Sequence, residues 1–91
     1  MTERFLEKKL VQKVEQLGGK ALKLTSPSTT GMPDRMVIMP GGKIWFVEMK
    51  RPDGKLRNMQ KVVLELLANL GFQTKVLFNA EQIEEFINEI M

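Results

Sequence analysis

Between Thr2 and Leu17 the apolar residues Leu6, Leu10, Val14 and Leu17 recur at intervals of four, four and three, one stripe of an amphipathic helix. Gly18 and Gly19 end it, as glycine commonly does just past a helix C-terminus. Lys20–Leu24 reads as a short extended segment, and Thr25–Pro33 (TSPSTTGMP) has the composition of a loop. Asp34–Met39 and Ile44–Lys50 are strand-like runs joined by Pro40-Gly41-Gly42-Lys43, a hairpin signal. The second run stays apolar until Glu48, so helices are expected over both faces of these strands. Arg51–Lys55 is a turn. A helix of about fourteen residues follows, with Met59, Val63, Leu66 and Leu70 as its inward stripe and Gly71 as its stop. Gln73–Phe78 is a fourth strand, and Asn79 caps a last helix carrying Ile83, Phe86, Ile87 and Ile90 on one face.

The order α-β-β-β-α-β-α predicts an α/β fold, a mixed sheet flanked by helices on both sides. Ninety-one residues leave room for a single domain, 1–91. No apolar run approaches the ~18–20 residues of a membrane span, and MTERFLEKK is too polar for a secretory signal, so a cytoplasmic protein without membrane contact is expected.

The hairpin carries a register requirement. Directly opposed residues of an antiparallel pair share a face, so their numbers must have an even sum if Asp34 is to join Glu48 and Lys50. A two-residue Gly41-Gly42 turn pairs Pro40 with Lys43 and violates that. A three- or five-residue connection, or a bulge, with a glycine at positive φ is therefore predicted.

Composition narrows the chemistry. The chain has no Cys, His or Tyr, which removes disulfides, thiolate sites, the Ser-His-Asp triad and any histidine base. An enzyme built from the remaining polar residues would use oxygen ligands, which favour Mg²⁺ or Mn²⁺ over Zn²⁺. Charge is uneven: residues 80–91 hold four Glu and no Lys or Arg, leaving 14 basic against 7 acidic groups in the rest. A basic body suits a polyanion such as DNA.

Two charged residues stand where the strand pattern calls for apolar ones. Glu48 and Lys50, two apart, share one face at a strand end, and their burial is costly unless both are paired or bind a metal. Gly31-x-Pro33-Asp34 precedes them, with thirteen residues between Asp34 and Glu48. This ordered set resembles the PD-(D/E)xK nucleases, and more narrowly the stand-alone, phage-type VRR-NUC domain. Glu7 on the first helix, Gly18-Gly19, Lys23 and Gln60 extend the resemblance over nearly the whole chain.

The resemblance implies a restriction-endonuclease-like fold and a metal-dependent, structure-specific DNA endonuclease that resolves Holliday junctions as a homodimer. It further implies a phage or prophage protein at work in a bacterial host. Asp34, Glu48 and the backbone carbonyl of Met49 would be metal ligands, with Glu7 added directly or through water and Glu3 competing for that place. Lys50 would orient the attacking water or stabilise the transition state, and Gln60 would meet a phosphate or a water. Arg57-Asn58 stand where the family often has Ser-Pro, losing a hydroxyl cap and offering an Arg to phosphate. Lys20, Lys23, Arg35, Arg51, Lys55 and Arg57 flank the site in sequence and would contact DNA phosphates. The competing readings are a less selective nicking or flap nuclease, and a non-catalytic nucleic-acid-binding module.

Overall fold

The computed structural model describes residues 2–91. Helix α1 (Glu3–Gln16) leads into β1 (Lys20–Lys23), β2 (Arg35–Met39) and β3 (Lys43–Met49), followed by α2 (Asn58–Asn69), β4 (Gln73–Leu77) and α3 (Ala80–Ile90). This is the predicted α/β order. Thr2 and Asn79 cap α1 and α3, their side-chain oxygens accepting the N–H of Phe5 at 3.1 Å and of Gln82 at 2.8 Å.

The strands form one sheet in the order β1-β2-β3-β4. The first three are antiparallel, while β4 runs parallel to β3, a pairing that needs a crossover, which α2 supplies. Arg35 opposes Val47 and Met39 opposes Lys43, so opposed numbers have an even sum as predicted. Pro40-Gly41-Gly42 is a three-residue connection, and both glycines hold positive φ, 88° and 77°.

That register sorts the side chains. Val37, Met39, Trp45, Val47 and Met49 face α1 and α3, where they join Leu6, Leu10 and Val14 with Ile83, Phe86, Ile87 and Ile90 in one core. Phe86 meets the ring of Trp45 edge-on at 6.1 Å. The opposite face carries Phe46 against Val63 and Leu67 of α2, with Leu24, Met32, Met36 and Ile44 at the margin.

Helix α2 departs from expectation. Gln60, Val63 and Leu67 face the sheet, while Met59, Leu66 and Leu70 of the expected stripe are exposed. The helix has more apolar residues than one sheet-facing side can bury, so spacing alone does not say which half docks. A hydrogen bond from Gln60 to Glu48 accompanies the observed rotation.

Candidate active site

The loop before β2 is pinned to the start of α2. Gly31 has φ +92°, and a Cβ there would lie 2.6 Å from the carbonyl oxygen of Met59. Only glycine permits that approach, which sets the path of Pro33 and Asp34. Asp34 stands one residue ahead of β2 rather than opening it, because its carboxylate is turned to β3. The Met49 N–H donates to its two oxygens at 3.2 and 3.4 Å. The Asp34 carbonyl still accepts the N–H of Leu24 at 2.8 Å, so the backbone stays tied to the sheet.

Glu48, 4% exposed, projects from β3 toward α2. Its Oε2 accepts Gln60 Nε2 at 3.1 Å and pairs with Lys50 Nζ at 3.3 Å. Lys50 follows the last residue of β3 and donates its own N–H to the Leu77 carbonyl at 2.9 Å. Gln60, expected to meet a phosphate or a water, is 5% exposed and holds Glu48. Its Oε1 accepts the Arg57 N–H at 2.8 Å, so one amide both closes the first turn of α2 and fixes the carboxylate.

The electrostatics follow from two carboxylates leaving water together. Burial, then the charge of Glu48, push the Asp34 carboxyl up to about 7, against the opposing pull of the Met49 N–H; Glu7 and Glu3 add to the rise. Burial also raises Glu48, although the Lys50 charge and hydrogen bond counter it. Among the described residues no three carboxylates converge as a cation cage. Asp34, Glu48, Lys50 and Gln60 come together; Glu7 stands at the edge.

Arg35 holds Glu7 there. Its Nη2 and Nε lie 3.0 and 3.2 Å from Glu7 Oε1, and its Nη1 donates to the Ala21 carbonyl at 3.2 Å. Arg35, expected to contact DNA phosphate, is here partly buried and paired with Glu7. The charge of Glu3 reaches both Asp34 and Glu48, so neither helix glutamate displaces the other as the neighbour of the site.

Glu7, Arg35 and Lys23 line an open cavity of about 640 Å³ together with Arg4, Lys8, Val11 and Gln12. Arg4 and Lys8 were not among the expected site residues; their signal was the four-residue spacing of Arg4, Lys8 and Gln12 along α1. Of the other expected basic residues, Lys20 pairs with Glu15 at 3.6 Å and Arg51 with Asp53 at 3.4 Å, all four exposed, while Lys55 and Arg57 are exposed.

The VRR-NUC domain family model matches residues 2–80. A phage relative, "Putative nuclease p44" of Acyrthosiphon pisum secondary endosymbiont phage 1, is 45% identical over 75 residues, covering 82% of this chain and 81% of its own. A solved structure described as a VRR_NUC domain matches with a TM-score of 0.91 and 31% identity, covering 98% of this chain and 97% of that one. Fold and comparisons together define a nuclease domain. The chain belongs to the VRR-NUC domain family.

Proposed function

We propose that this chain is a Mg²⁺- or Mn²⁺-dependent endodeoxyribonuclease that cuts branched DNA, with the four-way junction as its substrate and a homodimer as its working form. The observation that carries the reading is the partly buried Asp34 next to the buried Glu48, with Lys50 beside them. Two carboxylates that burial pushes toward protonation, Asp34 further raised by the charge of Glu48, are a natural cation site, since a divalent ion offsets both effects. The donors are all oxygen, which fits Mg²⁺ or Mn²⁺. Asp34, Glu48 and the Met49 carbonyl would hold it, completed by Glu7 once Arg35 releases that carboxylate, or by Glu3. When bound, the ion supplies charge neutralisation at the scissile phosphate and a more acidic water.

The protein's own groups do the rest. Lys50, paired with Glu48, would orient the attacking water or meet charge building on the phosphate oxygens in the transition state. Gln60 keeps the Glu48 carboxylate from rotating, a positioning role. Lys20, Lys23, Arg51, Lys55 and Arg57, with Arg4 and Lys8, would grip phosphates without reading sequence. A junction is approximately two-fold symmetric, and paired cuts call for two sites related by a two-fold axis. A phage relative, and no helix among the described residues long and apolar enough to cross a membrane, support action on phage or host DNA inside a bacterial cell.

The test is cleavage of labelled four-way junction, flap and linear duplex in Mg²⁺, Mn²⁺ or EDTA. Paired nicks in the junction, with metal only, are expected. Equal cutting of flap and linear duplex would replace the resolvase by a less selective nuclease. Binding without cutting in either metal would leave a non-catalytic module.

A further inference from the structure

The outward side of α1 is basic and carries the most exposed aromatic ring of the chain. Phe5 is 53% exposed and stands outside the stripe Leu6, Leu10 and Val14 that fixes the helix to the core. Two open hollows run along this side. The cavity of about 640 Å³ at Glu7 has Arg4, Lys8, Lys23 and Arg35 in its wall. A second, of about 370 Å³, is lined by Phe5, Lys8, Lys9, Gln12 and Lys13. Lys8 and Gln12 belong to both, and their spacing of four makes them the ridge between the two.

Charge selects a polyanion as the occupant. Of the six cations around the hollows, Arg35 is paired with Glu7, while Lys9 and Lys13 share Glu84 at 3.1 and 3.4 Å. Six cations thus face two carboxylates, an excess of four on a chain whose net charge is +3. Arg4, Lys8 and Lys23 make no ion pair among the described residues.

The ring and the hollow narrow the polyanion to an unpaired strand. A duplex turns its phosphates outward and keeps its bases stacked inside, so it leaves a protein surface ring without a partner. An unpaired base has a free π-face, and stacking it on an aromatic side chain strengthens binding whatever the base. The larger cavity lies within the ~300–1,000 Å³ that seats a whole small molecule, so it has room for a nucleotide and not only a phosphate. From Phe5 to Gln12 the helix rises about 10 Å, roughly the length of three stacked nucleotides.

We propose that the outward side of α1 binds an unpaired DNA strand, with one base stacked on Phe5 and the phosphates following Arg4, Lys8 and Lys23 across the cavity. DNA as the ligand rests on the nuclease reading above; the basic, ring-bearing surface does not. Glu7 both lines the cavity and stands at the edge of the candidate site, so the strand would run on toward Asp34 and Glu48. A branch point, where paired strands part, offers such a segment, and a continuous duplex does not.

The test is fluorescence anisotropy of the full chain with a short labelled oligothymidylate and with a blunt duplex, both in EDTA. Phe5→Ala and Phe5→Leu should each weaken single-strand binding about tenfold, and Phe5→Trp should match or exceed the wild type. Duplex affinity should change by less than about twofold in all three, and circular dichroism should stay that of the wild type, since the ring is exposed. Arg4→Ala/Lys8→Ala should flatten the slope of log affinity against log salt by about 1.4 for the single strand. Wild-type affinity for the single strand in Phe5→Ala or Phe5→Leu, an equal loss for the duplex, or an unaltered salt slope would overturn the proposal. EDTA prevents metal-dependent cutting, so binding is read apart from cleavage. A chain that binds the single strand through Phe5 but cuts no DNA in either metal would uphold this surface and count against the nuclease reading.

Discussion

Toward α1 and α3 the sheet meets apolar side chains from two helices, in a core of Leu, Ile, Val, Met, Phe and Trp. Toward α2 it meets one helix, through Phe46, Val63 and Leu67, and then through the polar contact of Glu48 with Gln60. The same strands serve both faces, because alternate residues of β3 point opposite ways. Stability is therefore concentrated on one side. The other side gives up apolar burial to hold ionisable groups that repel each other and leaves an apolar helix flank in water. The candidate site lies on the weaker face, where less of the fold depends on each residue.

The largest expected difference between the faces is in cleavage. Asp34→Ala or Glu48→Ala should lower cutting by about 10³-fold or more, the several kcal/mol that metal-assisted charge stabilisation supplies. DNA binding should persist or tighten in a mobility-shift assay, since a charge that repels phosphate is gone. A comparable loss of binding would mean that these residues build the fold instead. On the opposite face, Phe86→Ala should cost about 3–5 kcal/mol in urea unfolding, because it opens a cavity beside Trp45. The part of that variant that remains folded should still cut DNA at the normal rate.

A smaller effect separates the faces by pH. Between about pH 4 and 7 the folded metal-free chain retains an Asp34 proton that the unfolded chain has released. Its contribution to stability therefore falls as pH rises through that window and is level above it. Asp34→Asn, which can still accept the Met49 N–H, should be more stable than wild type at pH 8 by about 2 kcal/mol. That is roughly half of what the full shift would give, as the carboxyl keeps some contact with water. At pH 4 the two proteins should melt alike; a constant difference across the range would contradict the assignment.

The smallest concerns Trp45, whose buried Nε1–H has no hydrogen-bond partner among the described residues. Trp45→Phe loses volume but also removes that unmet donor, so the two effects oppose. A change within about 1 kcal/mol is expected in thermal melting.

Much of this division was legible in the sequence. The helical stripes of α1 and α3 followed from periodicity, which answers to local geometry. The hairpin register followed from parity once Asp34 was required to join Glu48 and Lys50, a requirement that the ordered motif supplied. Two points did not follow. The rotation of α2 is set by which half of an over-wide apolar surface finds the sheet, a tertiary choice that spacing does not encode. The commitment of Arg35 to Glu7 joins residues 28 apart, and nothing local distinguishes it from the other basic residues.

On this account partly buried Asp34 and buried Glu48, on the α2 face, form a metal-dependent nuclease site. Calorimetric titration of Mn²⁺ into the wild type and Asp34→Asn at pH 6.5, in two buffers of different ionisation heat, tests it most directly. The wild type should bind Mn²⁺ with release of the Asp34 proton, and Asp34→Asn should bind at least about tenfold more weakly without that release. Equal affinity in the two proteins, with equal proton release, would contradict it.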